Sequence, residues 1–508
     1  MIVNVKIDSR DDGNYYFERL IMNNDQGILK RNHEIITEVA RLAWNNELDE
    51  DHKIELGFKF SPGIHAAYRC CVFKEREIIR QKIRLCEGKE ARPTIKNKGV
   101  IQVIDAACAD CPKASYAVTD NCRSCIGKAC YNSCKFGAIS IFNKRPYIDP
   151  EKCKECGMCA NACPYNSIIH LERPCKKACD VGAITYNDDG ICEIDDEKCI
   201  ECGHCVHSCP FTAIVPKNYV VDVATAIRTG KEVYAMVAPA FEGQFGSDIT
   251  LQSVLNACEK VGFAGTIEVA VGADMTAAYE AEEWIEGLNQ KKVITTSCCP
   301  AFINMIKKHF PEIYDENMSK TVSPMCAMSR YLKTIHPECI TVFIGPCVAK
   351  KSEANDKSIK GNADYVLSFR EFQDLIRAKG VELEPAENNY QEGSLFGKKF
   401  ATSGGVASAV LEVMKEINDV SEVTYKQCAG AKECKNALTM LKMGKLTEDF
   451  IEGMICVGGC VGGPSKEKTE IQIRRDREQL LLLADDRKIL DNVRKYPMDK
   501  FSMNRNNK

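Results

Sequence analysis

Three short segments of this 508-residue sequence carry side chains whose chemistry makes sense only jointly. They are Thr296-Ser297-Cys298-Cys299-Pro300, Pro346-Cys347-Val348-Ala349-Lys350-Lys351-Ser352-Glu353 and Cys456-Val457-Gly458-Gly459-Cys460. Cys299 and Cys347 are 48 residues apart, and Cys347 and Cys456 are 109 apart. Four thiolates brought together from three distant segments suit one iron–sulfur cubane, which takes four cysteine sulfurs. In an extended segment neighbouring side chains point to opposite faces. If Cys299 faces such a cluster, Cys298 is free to do something else.

Upstream, between Cys108 and Cys209, the cysteines become a repeat. CYNSCKFGAI from Cys130, CANACPYNSI from Cys159, CKKACDVGAI from Cys175 and CVHSCPFTAI from Cys205 share one form. Two complete C-x2-C-x2-C-x3-C-P runs are present: Cys153, Cys156, Cys159, Cys163 and Cys199, Cys202, Cys205, Cys209. In the bacterial-ferredoxin arrangement the fourth cysteine of each run ligates the cluster of the other. One [4Fe–4S] cluster is therefore expected on Cys153, Cys156, Cys159 and Cys209, and a second on Cys199, Cys202, Cys205 and Cys163. Zinc also uses CxxC pairs, but two runs each followed by proline and a short apolar strand favour iron. The other eight cysteines of the pattern are Cys108, Cys111, Cys122, Cys125, Cys130, Cys134, Cys175 and Cys179, enough for two more cubanes. Cys122, Cys125, Cys130 and Cys134 form a stretched half of the same pattern and are read as a third site. The pairing of a fourth stays open, and Cys192 is read as a free thiol.

Thirty cysteines in a chain with 45% apolar residues and net charge −3 point to thiolate metal sites in a reducing cytoplasm rather than to a disulfide scaffold. The start, MIVNVKIDSRDDGNYYFERL, shows neither a basic leader with a long apolar core nor a twin-arginine pair. No run of about 18 apolar residues suggests a membrane span. Lys and Arg are not clustered as a nucleic-acid surface requires.

The expected architecture is multidomain, α/β and α+β: a small amino-terminal domain of unknown role (1–100), a ferredoxin-like repeat domain (101–217), a two-lobed α/β domain (218–465) and a helical tail (466–508). In the first, Glu34–Trp44 has helical spacing and Ile54–Phe60 alternates like a strand. Cys70, Cys71 and Cys86 are read as reduced structural thiols. In the third, apolar runs at 233–238, 267–271, 291–295 and 339–344 read as strands, with helices at 276–288 and 327–335 between them. Strand–helix alternation implies parallel sheet, whose ligands gather beyond the carboxyl ends of strands. The tail is expected to pack one amphipathic helix, Arg477–Val493, on the outside and to fray at NRNNK.

The three motifs in this order resemble those of the [FeFe]-hydrogenases, and the Ser323-Pro324-Met325-Cys326 segment resembles the group B branch of that family. The resemblance covers about the last 290 residues. It implies an H-cluster, a cubane on Cys299, Cys347, Cys456 and Cys460 bridged by Cys460 to a diiron unit carrying CO, cyanide and azadithiolate. It also implies a proton path from Cys298 through Glu280, Ser319 and Glu283, a cyanide contact from Lys350 oriented by Glu353, and apolar walls at Pro239, Phe400 and Met454. Four positions depart from the family: Ala240 for serine, Met325 for glutamine, Gly345 for methionine, and Gly287 where an outer arginine is common. The implied activity is reversible interconversion of protons, electrons and hydrogen. The implied partners are ferredoxin or a similar carrier and the hydrogenase maturation proteins. The competing reading is a non-catalytic hydrogenase-like protein, either an iron–sulfur assembly factor or a hydrogen sensor.

Overall fold

The computed structural model describes residues 24–93, 98–388, 390–418 and 422–506. The leader reading of the first twenty residues lies outside them. No helix among the described residues is long and apolar enough to cross a membrane.

The amino-terminal helix Asn24–Asn45 presents Ile35, Val39 and Leu42 to one side. This face shares a core with Val220 and Val223 of helix Val220–Arg228 and Phe372 and Leu375 of helix Phe369–Arg377. The Trp44 indole donates to the Leu375 carbonyl at 3.2 Å, and His33 meets Asp374 at 2.8 Å. Residues 54–60, expected as a strand, belong instead to helix Glu50–Phe60. Asp49 caps it by accepting from the His52 amide, and Glu50 and Asp51 favour its first turn. These end effects outweigh a short period-two alternation.

The cysteine-rich segment is built from four two-stranded antiparallel ladders. Its strands are β1 (Ile101–Val103), β2 (Ser115–Val118), β3 (Ile139–Phe142), β4 (Arg145–Ile148), β5 (Ile168–Leu171), β6 (Ile184–Tyr186), β7 (Cys192–Ile194) and β8 (Ile214–Pro216). The pairs are β1–β8, β2–β5, β3–β4 and β6–β7.

The carboxyl-terminal half holds two parallel sheets. Its strands are β9 (Val233–Val237), β10 (Gly265–Glu268), β11 (Ile294–Thr295), β12 (Ile340–Ile344), β13 (Tyr365–Leu367), β14 (Tyr425–Ala429) and β15 (Phe450–Met454). One sheet runs β10-β9-β12-β13 and the other β11-β15-β14. The expected strands are present but shorter; residues 270–271 begin the helix Ala270–Gln290. The fold is thus mixed α/β with a ferredoxin-like region ahead of a two-lobed parallel-sheet region.

The tail departs from expectation. Its helix Glu470–Leu481 ends before a second, Ile489–Val493, whose Ile489 and Asn492 are fully buried against Ala270–Gln290. Glu416 accepts from the Ile489 and Leu490 amides at 2.8 and 2.9 Å, and Asn492 donates to Asp274 at 2.8 Å. The terminus does not fray over its described part. Val322 donates to Met503 O at 2.9 Å, Arg505 to Lys320 O at 2.7 Å, and Thr321 bridges Asn504 in antiparallel sense.

Candidate active site and iron–sulfur sites

Cys299 follows β11, Cys347 follows β12, and Cys456 follows β15, each just past a carboxyl end of parallel sheet. Cys460 comes after a glycine turn in which Gly458 and Gly459 have φ of 77° and 90°. A Cβ on Gly459 would stand 2.6 Å from the Ser403 amide nitrogen and 2.7 Å from the Ala401 carbonyl. Only glycine lets this loop lie against residues 401–403.

All four of these cysteines line one cavity together with Cys298, Lys350, Pro239, Phe400 and Met454. Cys202 lies on its wall. Ala240 and Met325 are fully buried there, and the side chain missing at Gly345 is replaced by the Phe343 ring, 2.7 Å from where a Cβ would be. Among the described residues, no three metal-ligating side chains are drawn tightly enough around one point to hold a single ion. The cysteines line cavities instead. Burial pushes the Cys347 thiol up to about 11 and Cys460 up to about 12. Ionising them needs positive charge at the cavity centre, which iron supplies, so the donor set fits a cluster.

Cys298 is buried beside Glu280. Desolvation and that carboxyl both drive its thiol well above the ordinary range. Glu280, fully buried, accepts from the Ser297 amide at 3.1 Å through Oε1, while its Oε2 has no hydrogen-bond partner. Burial, then the nearby Glu283, raise its pKa to about 8. The Ser297 hydroxyl lies 3.2 Å from Glu280 Oε1, 3.3 Å from the Ser319 hydroxyl and 2.6 Å from the Thr321 carbonyl. Ser319 in turn meets Glu283, which accepts from the Lys320 amide at 3.0 Å. Burial leads the upward shift of the Glu283 carboxyl. Gly287, one turn on, is covered by Ile294; a Cβ there would come within 2.7 Å of its side chain.

Lys350 is buried and reaches Glu353 at 2.6 Å and the Cys298 carbonyl at 3.4 Å. Burial opposes its charge, but Glu353 outweighs burial and its pKa stands above the ordinary value. Two contributors were not singled out from sequence. Ser297 lies inside the motif itself. Arg505, 5% exposed, donates to the Ser297 carbonyl at 3.1 Å and stands 3.7 Å from Glu353 Oε1. Nothing in the polar run NRNNK marks that role.

In the cysteine-rich segment the expected pairing of runs is not what the fold presents. The β3–β4 hairpin joins the Cys122–Cys134 segment to the Cys153–Cys163 run. One cavity is lined by Cys134, Cys153, Cys156 and Cys159, another by Cys122, Cys125, Cys130 and Cys163. Cys209 therefore does not complete the first set, nor Cys163 a set with Cys199, Cys202 and Cys205. The cavities group the fourth cysteine of each run, Cys134 and Cys163, with its neighbour across a hairpin rather than joining the two most similar runs.

Known proteins resemble parts of this chain. Residues 231–464 match the family described as iron only hydrogenase large subunit, C-terminal domain, and residues 146–169 match a 4Fe-4S binding domain. Iron hydrogenase 1 of Clostridium pasteurianum is 29% identical over 403 residues, covering 67% of this chain and 69% of its own. A probable cytosolic Fe–S cluster assembly factor of Brugia malayi is 23% identical over 265 residues, covering 44% of this chain and 58% of its own. A variant of [FeFe]-hydrogenase HydA1 from Chlamydomonas reinhardtii superposes with a TM-score of 0.41 at 19% identity, over 53% of this chain and 89% of its own. The class these likenesses define is that of iron–sulfur redox proteins. More particularly, residues 231–464 are similar to the iron-only hydrogenases, and a 4Fe-4S binding segment lies ahead of them.

Proposed function

We propose that the protein is an [FeFe]-hydrogenase, interconverting protons, electrons and molecular hydrogen. The observation that carries this reading is one cavity that joins four cysteines to a fifth thiol, Cys298, next to a carboxyl whose free oxygen is buried. Cys299, Cys347, Cys456 and Cys460 would hold an H-cluster, which would supply the open iron and the electron exchange. The chain's own residues do the rest. Pro239, Phe400 and Met454 keep water from the cavity, Lys350 places its ammonium toward an anionic ligand, and Glu353 fixes that lysine. Glu280 holds its proton on Oε2, since Oε1 accepts from Ser297. Cys298, Glu280, Ser297, Ser319 and Glu283 then make a proton path whose outer group is the Glu283 carboxyl.

The group B reading rests on the sequence at Met325, Cys326 and Gly345, of which Met325 and Cys326 are fully buried. The four domains proposed from sequence remain our division, with the qualification that residues 24–86 share a core with the third. We place the protein in the cytoplasm, matured by the hydrogenase maturation proteins. Its electron partner is a ferredoxin or similar acidic carrier. Five basic residues and no acid lie between Asn121 and Ile148, around the Cys122–Cys134 segment, with Ile126 fully exposed and Phe142 74% exposed.

Likeness to an assembly factor keeps one other reading alive, a cluster-bearing protein without turnover. The test is an infrared spectrum and a hydrogen assay after maturation. We expect iron-bound CO and cyanide bands and hydrogen evolution in the wild type. Cys298→Ala should keep the bands and lose at least about a hundredfold in rate, the size of a proton-transfer effect. Absence of the bands and of turnover in the wild type would favour the non-catalytic reading.

A further inference from the structure

The cysteine-rich segment repeats itself in backbone as well as in sequence. The run Cys199–Cys209 is the run Cys153–Cys163 displaced by 46 residues, and the pair Cys175/Cys179 is Cys130/Cys134 displaced by 45. Three residues after the last cysteine of each unit the chain is left-handed: Gly137, Asn166, Gly182 and Thr212 have φ of 61°, 48°, 67° and 48°. The next amide donates back to the cysteine sulfur in three of the four, Ser167 to Cys163 at 3.4 Å, Ala183 to Cys179 at 3.2 Å and Ala213 to Cys209 at 3.4 Å. The hairpins match too, with Asp149 donating to Ala138 O and Asp195 to Ala183 O, both at 2.8 Å.

The register of the flanking ladders completes the correspondence. β2 pairs with β5 through Val118↔Ile168, and β1 pairs with β8 through Val103↔Ile214. Just beyond, Thr119 donates to Ser167 O at 2.8 Å and Ile104 to Ala213 O at 2.7 Å. Val103 thus stands where Val118 stands, and Cys108/Cys111 follow it one residue later than Cys122/Cys125 follow Val118. The extra residue is taken up in the helical turn Asp105–Cys108. One module is made of β2 to β5. The other is made of β1, β6, β7 and β8, and the first is inserted into it between Cys111 and Cys175. Arg173, 4% exposed, clasps the junction by donating to the carbonyls of Cys111 and Pro112 at 2.8 Å each and of Gly190 at 2.5 Å.

We propose that these nested modules hold four [4Fe–4S] clusters, the fourth on Cys108, Cys111, Cys175 and Cys209. The other three sets are Cys122, Cys125, Cys130, Cys163; Cys134, Cys153, Cys156, Cys159; and Cys179, Cys199, Cys202, Cys205. The fourth set is the image, module on module, of the set whose four cysteines line one cavity. Cys192 takes the place of Pro146, which lines that cavity without ligating. Its amide donates to the Cys108 sulfur at 3.3 Å, as a wall residue would. The row has a direction. The set containing Cys202 abuts the active-site cavity. A Cβ on Gly203 would lie 2.8 Å from Val348, next to Cys347. Lys308, on the helix that begins after Cys299, donates to the Cys199 carbonyl at 2.7 Å. Cys111 leads into β2, whose Tyr116 end borders the Cys134 set and whose Val118 end borders the Cys122 set. Electrons then pass from the basic tip through the inner module, then the outer one, to the catalytic cavity.

The inference rests on the reading of these thiols as iron ligands, not on hydrogen chemistry, and it is tested by counting iron. The full chain, reconstituted anaerobically without the diiron unit, should hold about twenty irons, sixteen in the row and four at the catalytic cubane, with matching acid-labile sulfide. Cys111→Ala and Cys209→Ala should each remove or degrade one cluster in the Mössbauer and EPR spectra, and the double variant should lose no second one. Cys192→Ala should lose none. A wild type with about sixteen irons or fewer overturns the fourth site. So does a double variant that loses two clusters, or a Cys209→Ala spectrum matching that of Cys156→Ala. If the alanine variants do not fold, the wild-type count decides, with Cys111→Gly supplied with a small thiol as a second check. Hydrogen turnover with a failed count sinks this proposal alone; a full count without turnover sinks only the enzyme reading.

Discussion

Glu280 is where a single atom decides the most. With Oε1 occupied by the Ser297 amide, the proton of the neutral acid has one place to be, and that oxygen has no competing partner. The folded pKa of about 8 lies above the 4.5 of an ordinary glutamate. Between those values the native state holds a proton that the unfolded chain has released. Stability from this group therefore falls as pH rises from about 4.5 to 8, by up to about 1.4 kcal/mol per pH unit. Glu280→Gln should flatten that slope, so that its melting temperature gains on the wild type more at pH 8 than at pH 5.5. The same variant should slow hydrogen evolution by about a hundredfold, because an amide keeps the hydrogen bonds but cannot pass the proton. Equal slopes in both proteins would mean that Glu280 is ionised when folded.

At the scale of elements, the carboxyl-terminal strap is the clearest surprise. Residues 503–505 lie alongside residues 320–322 and bring Arg505 to Ser297 and Glu353 from the far end of the chain. Arg505→Ala leaves a buried carboxylate sharing only Lys350, and we expect a loss of about 3 kcal/mol, read as a lower denaturant midpoint. Unchanged stability would reduce the contact to a bystander. Motif positions were legible because spacing within a cysteine run is set by a few local bonds. The same is true of strands 233–237 and 340–344, buried on both faces and so continuously apolar. What was not legible depends on who lies next to whom. Cys163 lines a cavity with Cys122, Cys125 and Cys130 rather than with the other of the two most similar runs, since the β3–β4 hairpin brings that segment nearer. Ile489 and Asn492 turned inward because Asp274 and Glu416 wait for them. Arg505 sits in a run whose composition alone suggested fraying.

For the whole molecule, the proposed row of clusters would form a conduit that opens at a basic stretch. The stretch from Asn121 to Ile148 carries only basic charge, and Arg123, Lys135 and Lys144 are exposed on it. Reversing Arg123, Lys135 and Lys144 to Glu should raise the KM for an acidic ferredoxin about tenfold and weaken its salt dependence. Turnover driven by a small uncharged mediator should stay the same. An unchanged KM would move the docking face elsewhere.

Ser115 and Leu171 face one another at the neck of the inserted module. A loop that leaves and returns through the same doorway can be lost or gained without retying anything else. Joining residue 112 to residue 172 by a short glycine link should give a stubbier protein with half the proposed accessory iron, an intact cavity at Cys299, Cys347, Cys456 and Cys460, and no preference for its former donor. Wiring length in this protein would then be a plug-in property, alterable by one genetic cut.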